Sequence, residues 1–373
     1  MSAWEFSQEM IYLSPVRWDS FAQRPHKFVE WFHRESGAEV LWIDPYPTRL
    51  PVLGDLKKLK LGSAGGSGFR PDWLTVVRPK ALPIEPLPGL HGINQLFWLR
   101  LIKSLAESRR AKVLAIGKPS EMALRLLRAR PDLFSLYDAM DDFPAFYSGW
   151  SRKSMARREK LLARSVKLVV VSAQSLADKF AALNISPRLI LNACSTASLP
   201  AAESLPPKAV RPVIGYVGTI GPWFDWPLTL ELARRNPLVD WHIIGPLHCA
   251  APETPPPNLK IFPACRHEEA IELMANFSAG LIPFKRTLLT ESVDPIKYYE
   301  YAALGLPVLS TSFGEMINRG GQPGVFLIDD NSDLQATVEK AVNFRSDPEK
   351  IKSFRADNDW SNRFGPLLAD LWP

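Results

Sequence analysis

The segment Glu291–Thr311, ESVDPIKYYEYAALGLPVLST, sets Lys297 and Glu300 three residues apart just behind a proline. Pro295 suits the first turn of a helix, and at that spacing the two charges share one helical face. Gly305 and Pro307 would stop the helix and feed a buried strand. A helix N-terminus supplemented by a lysine is an anion site. A carboxylate one turn further in can accept hydrogen bonds from paired ribose hydroxyls. The same residues also suit an ordinary amphipathic helix with a surface Lys–Glu pair, and this segment alone leaves both readings open.

A second group lies in Leu136–Phe146, LYDAMDDFPAF, where an apolar run ends in Asp138, Asp141 and Asp142. Carboxylates just beyond the carboxyl end of a strand stand where α/β domains present catalytic groups, and a carboxylate there can act as a general base. They could equally cap the helix that follows. Near the N-terminus, Trp18–Phe32 (WDSFAQRPHKFVEWF) offers Gln23, Arg24 and His26, with Pro25 as a helix-start residue. None of the six histidines has a G-x-S-x-G partner, so no Ser-His-Asp triad is indicated. Cys194, Cys249 and Cys265 show no CxxC spacing, which argues against structural zinc and a disulfide framework and favours a reducing compartment.

The elements that must position these groups follow from short β-branched runs alternating with stretches of helical period, the pattern of parallel βαβ units. Strands are predicted at Met10–Leu13, Val40–Ile43, Leu74–Val77, Val113–Ile116, Leu133–Tyr137, Leu168–Val171 and Leu189–Leu191. Helices are predicted at Gln23–Glu35, Asn94–Ser108, Ser120–Arg130 and Ser151–Ser165. Gly62–Gly68 reads as a loop, and the proline-rich, aperiodic Ser198–Pro212 as an interdomain linker. The alternation then restarts, with strands at Val213–Val217, Trp241–Ile244, Leu259–Phe262, Gly280–Pro283, Val308–Ser310 and Val325–Ile328. Its helices are Leu228–Arg235, His267–Asn276, Pro295–Leu304 and Leu334–Phe344. Two doubly wound domains result, each expected to bind ligands at the carboxyl ends of its strands, with a cleft between them as the default active site.

A length of 373 residues agrees with about two domains, and 46% hydrophobic with 23% charged residues excludes disordered and collagenous classes. The net charge of +6 conceals a split: residues 1–200 carry 29 basic against 18 acidic side chains, and 201–373 carry 16 against 21. Two helical stretches account for it. Ser151–Lys167 carries +6 and Phe97–Lys112 carries +4, each with apolar residues among the charges, which suits either a solvated helix face or contact with anionic lipid. No RNP, helix-turn-helix or aromatic-basic platform points to nucleic acid. The N-terminus lacks the basic, then long apolar, plan of a signal peptide, and no apolar run of about 18 residues occurs, so a cytoplasmic protein is expected.

The Glu291–Thr311 segment, with Val213–Trp226 (VIGYVGTIGPWFDW), Trp241–Pro246 (WHIIGP) and Asn258–Phe284, resembles the donor-nucleotide half of GT-B glycosyltransferases. It is similar in particular to bacterial exopolysaccharide and teichuronic-acid-type transferases with a P-x-K-x-x-E-Y-x-A-x-G-x-P-V motif. The resemblance covers most of residues 10–371 and is strongest at that motif. It implies the GT-B fold: an acceptor-side domain over residues 1–197, with 357–373 crossing back to it, a linker at 198–212 that could hinge the cleft, and a nucleotide-sugar domain over 213–356. The crossing segment, Asp357–Trp372, would be a terminal helix with Trp360 at the junction. The resemblance further implies that Glu300 holds the donor ribose and Lys297 its diphosphate. Gly218 and Thr219 would give pyrophosphate and sugar close backbone approach, and Cys265 would border the base. Tyr137–Asp141 matches the Y-x-x-x-D strand end whose aspartate serves as base in similar transferases, ahead of Asp142 and then Asp138. The Q-R-P-H run would bring Gln23, Arg24 and His26 to the cleft, Arg24 against a phosphate and His26 against an acceptor. In one respect the chain departs from the pattern: retaining relatives carry Glu-x7-Glu, and eight positions before Glu300 stands Ser292, flanked by Glu291 and Asp294.

The expected activity is therefore transfer of a hexose-type unit from a nucleotide-sugar, with UDP favoured, to a glycan or polyprenyl-linked acceptor in surface-polysaccharide assembly. An inverting reaction on an aspartate base is the main reading. The nucleotide-sugar would be a substrate, with no cofactor and no metal, and peripheral contact with the inner face of the plasma membrane would fit the basic helices. Three other readings remain: a retaining transferase, a UDP-sugar epimerase of the same fold, and a non-catalytic sugar-nucleotide or polysaccharide-binding partner.

Overall fold

The computed structural model describes residues 9–48, 50, 70–87, 91–202 and 211–371. Gly62–Gly68 and residues 203–210 of the expected linker lie outside the described residues. The chain forms two units, residues 1–190 with 364–373, and residues 191–363.

The first unit is built on a seven-stranded sheet ordered β3-β2-β1-β4-β5-β6-β7. Its strands are β1 (Glu9–Leu13), β2 (Glu39–Ile43), β3 (Leu74–Val77), β4 (Ala111–Ile116), β5 (Phe134–Ala139), β6 (Leu168–Val171) and β7 (Arg188–Leu189). Every ladder is parallel. Parallel sheets need cover on both faces, which is why the central strands are almost uniformly apolar, as in VLAI and LVVV. The cover comes from α1 (Arg24–Ser36), α2 (His91–Glu107), α3 (Glu121–Ala129), α4 (Gly149–Ser165) and α5 (Gln174–Ala181). α1 has Pro25 in its first turn and buries Phe28, Val29, Trp31 and Phe32. Phe364 packs edge-on against Phe28 and beside Trp31, which ties the last residues of the chain to this unit. Those residues are not the continuous terminal helix expected of Asp357–Trp372. Gly365 and Pro366 break the path into a turn at Trp360–Phe364, a 3-10 turn and Leu368–Leu371.

The second unit carries six parallel strands ordered β10-β9-β8-β11-β12-β13. They are β8 (Val213–Val217), β9 (Asp240–Ile244), β10 (Leu259–Phe262), β11 (Ala279–Ile282), β12 (Val308–Thr311) and β13 (Val325–Ile328). Helices α6 (Trp226–Arg235), α7 (His267–Ala275), α8 (Ile296–Ala303), α9 (Leu334–Asn343) and α10 (Pro348–Asp357) flank them. In both sheets the strand order reverses beside the first strand, between β1 and β4 and between β8 and β11, the switch point at which doubly wound sheets hold ligands. All thirteen predicted strands form, with ends moved by at most two residues.

Candidate active site

In the second unit the ends of β8 and β9 form a bare-backbone ledge. The Gly218 amide donates to the Ile244 carbonyl at 2.8 Å, and Gly218 and Gly245 have φ of 149° and 144°, where only glycine is unstrained. A Cβ on Gly245 would stand 2.0 Å from the Gly218 carbonyl oxygen, and one on Gly218 would stand 2.3 Å from Lys297 Nζ. The lysine therefore lies directly against the ledge.

It reaches there from α8, whose Tyr298, Tyr299 and Tyr301 are buried and whose Lys297 and Glu300 are half-buried. Tyr301 fixes the roll of α8, its hydroxyl accepting the Val217 amide at 3.2 Å. Lys297 Nζ stands 5.4 Å from the centre of the Tyr216 ring, and the Tyr216 hydroxyl donates to the Thr219 carbonyl at 2.7 Å. Burial lowers the Lys297 pKa, with Glu300 opposing that fall. Among the described residues neither the Lys297 ammonium nor the Glu300 carboxylate has a hydrogen-bond or ion-pair partner. No side chain caps the N-terminus of α8. An unpaired, partly desolvated lysine beside an open helix end and bare backbone is an anion-binding arrangement.

Gly218, Thr219, Lys297 and Glu300 are thus one group. Cys265 stands three residues beyond the edge strand β10, half-buried, with its thiol pushed up by burial. Gly245 was not among the residues singled out from sequence. The signal for it was present: an apolar strand run closed by Gly-Pro, like the VGT run after β8. Asp294 is buried and fully engaged, accepting from the Asn192 amide at 2.6 Å, the Tyr299 hydroxyl at 2.9 Å and Arg319 at 2.6 Å. Glu291 is exposed, and the buried Ser292 Oγ has no hydrogen-bond partner among the described residues.

In the first unit the carboxylates after β5 divide by their partners. Asp138, still within the strand, is gripped by Arg24, whose Nε lies 3.1 and 3.0 Å from its two oxygens and Nη2 2.9 Å from Oδ1. Arg24 Nη1 donates to the Ile190 carbonyl at 2.8 Å. Arg24 therefore does not reach a phosphate as expected. With 1% of its surface exposed it is the internal counter-charge of Asp138. His26 likewise turns inward between Trp18 and Trp42. Its Nδ1 accepts the Gln23 amide at 3.2 Å and its Nε2 donates to the Trp18 carbonyl at 3.2 Å, so neither ring nitrogen is left for an acceptor. Burial lowers its pKa, in keeping with this neutral tautomer. Gln23 is half-buried at the start of α1.

Asp142 pairs with Lys179 at 2.7 Å, and the same ammonium holds Glu159 at 2.5 Å. Asp141 differs from both neighbours. It is half-buried just past the strand end, and among the described residues its carboxylate has no partner. Burial, then the charge of Asp138, push its pKa up to about 7, with Arg24 opposing. A carboxylate with free oxygens and a pKa near neutrality can take a proton from a hydroxyl. Sequence reasoning missed Lys118, half-buried and unpaired among the described residues. It lines a recess of about 20 Å³ with Ser14, Asp44, Tyr46 and Ser120, at the ends of β1, β2 and β4. Its signal was Gly117-Lys118-Pro119-Ser120, a glycine after a strand and a capping serine before a helix. Among the described residues no group of three His, Cys, Asp or Glu side chains is placed to share a metal ion.

No family model matches the chain, and no curated protein matches it in sequence. Solved structures do match over its whole length. HepE of Anabaena, in complex with UDP and glucose, superposes with a TM-score of 0.62 at 11% identity, over 97% of this chain and 98% of that one. The UDP-forming α,α-trehalose-phosphate synthase of Burkholderia vietnamiensis gives 0.62 at 11% identity over 98% and 96%. AviGT4, a glycosyltransferase involved in avilamycin A biosynthesis, gives 0.57 at 11% over 98% and 97%. What the chain shares with them is the GT-B fold of two Rossmann-like parallel-sheet units.

Proposed function

We propose that the chain is a glycosyltransferase of hexosyl type, moving a sugar from a nucleotide-sugar to a glycan or polyprenyl-linked acceptor in surface-polysaccharide assembly. The observation that carries this reading is Lys297: an ammonium without an anionic partner among the described residues, laid on the Gly218 ledge at a switch point, with Glu300 one turn on. A diphosphate would satisfy the lysine and the α8 N-terminus, and a ribose diol would satisfy Glu300. UDP is the favoured nucleotide, since HepE of similar fold holds UDP and UDP-glucose.

In the proposed reaction Asp141 takes the acceptor hydroxyl proton as that oxygen bonds to the anomeric carbon. The bond from that carbon to the diphosphate breaks, and Lys297 meets the charge on the departing nucleotide. Inversion is favoured over retention because Ser292 stands in place of the first glutamate and Asp294 is already saturated by its own partners. No cofactor and no metal enter this scheme. A cytoplasmic setting, at the inner face of the membrane for a polyprenyl-linked acceptor, completes the proposal. Among the described residues no helix is long and apolar enough to cross a membrane.

The test is Asp141→Asn: transfer should fall by about two to four orders of magnitude, the usual contribution of a general base, with UDP binding retained. Full turnover would remove Asp141 from the mechanism. Incubation with a UDP-sugar alone separates the alternative chemistry, because an epimerase would yield a new sugar-nucleotide without any acceptor.

A further inference from the structure

α2 leaves four large apolar side chains in water within two turns: Ile93, Leu96, Phe97 and Leu99 are 40%, 71%, 51% and 58% exposed. The helix cannot roll to hide them. On its inner side the Asn94 carboxamide exchanges two hydrogen bonds with the Leu82 backbone, at 2.8 and 2.9 Å, and Trp98 Nε1 donates to the Lys80 carbonyl at 2.9 Å. Arg100 and Lys103 continue the outward stripe. Its one acid, Glu107, lies 3.9 Å from Lys103.

α2 packs on α3, and α3 on α4, so α4 shares this side of the sheet. The roll of α4 is fixed too, by the Arg158–Glu85 ion pair at 3.2 Å and by buried Met155 and Leu162. Its outward residues are Trp150, Arg152, Lys153, Arg157, Lys160, Leu161 and Arg164. Among the described residues none of those five cations has a carboxylate partner. The only acid of α4, Glu159, points inward to Tyr137 and Lys179.

We propose that this face of α2 and α4 docks on an anionic phospholipid bilayer, the α2 apolar cluster and Trp150 entering the headgroup boundary and the α4 cations meeting lipid phosphates. Exposed leucine and phenylalanine flanked by unneutralised cations is the composition of an interfacial helix surface. A nucleic acid would engage the cations and leave Leu96 and Phe97 in water.

The test is flotation of the full chain with vesicles of phosphatidylcholine alone, or with about 30% phosphatidylglycerol, at about 0.1 M salt. Binding is expected only to the anionic vesicles. Arg152→Gln/Lys153→Gln/Arg157→Gln should weaken it about 100-fold, at about fivefold per charge. Leu96→Ser/Phe97→Ser should weaken it about tenfold or more, with unchanged thermal unfolding in both variants. Four results would overturn the proposal: no binding to either vesicle, variants that bind like the parent, a dimer that Leu96→Ser/Phe97→Ser turns into monomer, or retention of duplex DNA in place of vesicles. The assay needs neither donor nor acceptor, so its failure leaves the sugar-transfer reading standing.

Discussion

Three aspartates within five residues have three different electrostatic fates, and only their partners distinguish them. Asp138 is neutralised by Arg24 and Asp142 by Lys179, while Asp141 is pushed up to about 7. If Asp141 is the base, kcat/KM should rise about tenfold per pH unit below 7 and level off above it. The same shift makes a stability prediction whose sign follows from linkage. A carboxyl with a raised folded-state pKa contributes its full stability below about 4 and loses it as pH rises through about 7. Asp141→Asn, which mimics the protonated form, should therefore leave the unfolding temperature nearly unchanged below pH 4 and raise it by a few degrees at pH 8. An equal change at both values would mean that the group titrates normally. The spacing Tyr137–Asp141 was legible in the sequence. The inward turn of Arg24 and His26 was not, because a Q-R-P-H run reads the same whether its helix offers or buries that edge.

At the scale of elements, parallel strands were easy to read because burial on both faces leaves them uniformly apolar. The breaks were harder, since Gly365-Pro366 and the 3-10 turns depend on packing at a distance. Glycines at strand ends fall between these cases. Gly218 and Gly245 share a backbone conformation and differ in what a side chain would strike: the movable end of Lys297 in one, the Gly218 carbonyl in the other. Gly245→Ala should thus lower the unfolding temperature more than Gly218→Ala, while Gly218→Ala should weaken UDP binding about tenfold or more by displacing the ammonium. Differential scanning calorimetry and titration calorimetry read the two effects separately, and equal stability losses would show that Lys297 does not yield. The Glu85–Arg158 pair allows a second contrast. Glu85 also accepts the Glu121 amide at the start of α3, and its second oxygen is buried without a hydrogen-bond partner among the described residues. Arg158→Ala should cost about 3–5 kcal/mol in chemical denaturation by stranding that carboxylate, and Glu85→Gln in the same background should recover part of the loss.

The two sheets have the same strand order at their switch points and different contents at their carboxyl ends. The first presents three aspartates, of which Asp141 has no partner among the described residues, and the second a glycine ledge with Lys297 against it. The charge split along the chain follows the opposite sense, positive where the aspartates are and negative where the lysine is. Overall charge therefore says nothing about which unit takes the nucleotide. Local geometry is the better guide: the proposed diphosphate site is where a cation without a partner among the described residues, Lys297, lies against bare glycine backbone at an open helix end. On this argument UDP should slow backbone hydrogen exchange at 217–220, 244–246 and 296–300, and leave 138–146 unchanged. At about 100 times its Kd it should also stabilise the folded chain by about 2.7 kcal/mol, with GDP and ADP giving less. Protection that mapped to the basic unit would refute the assignment of the donor to the Lys297 ledge, and equal stabilisation by all three nucleotides would refute the preference for uridine.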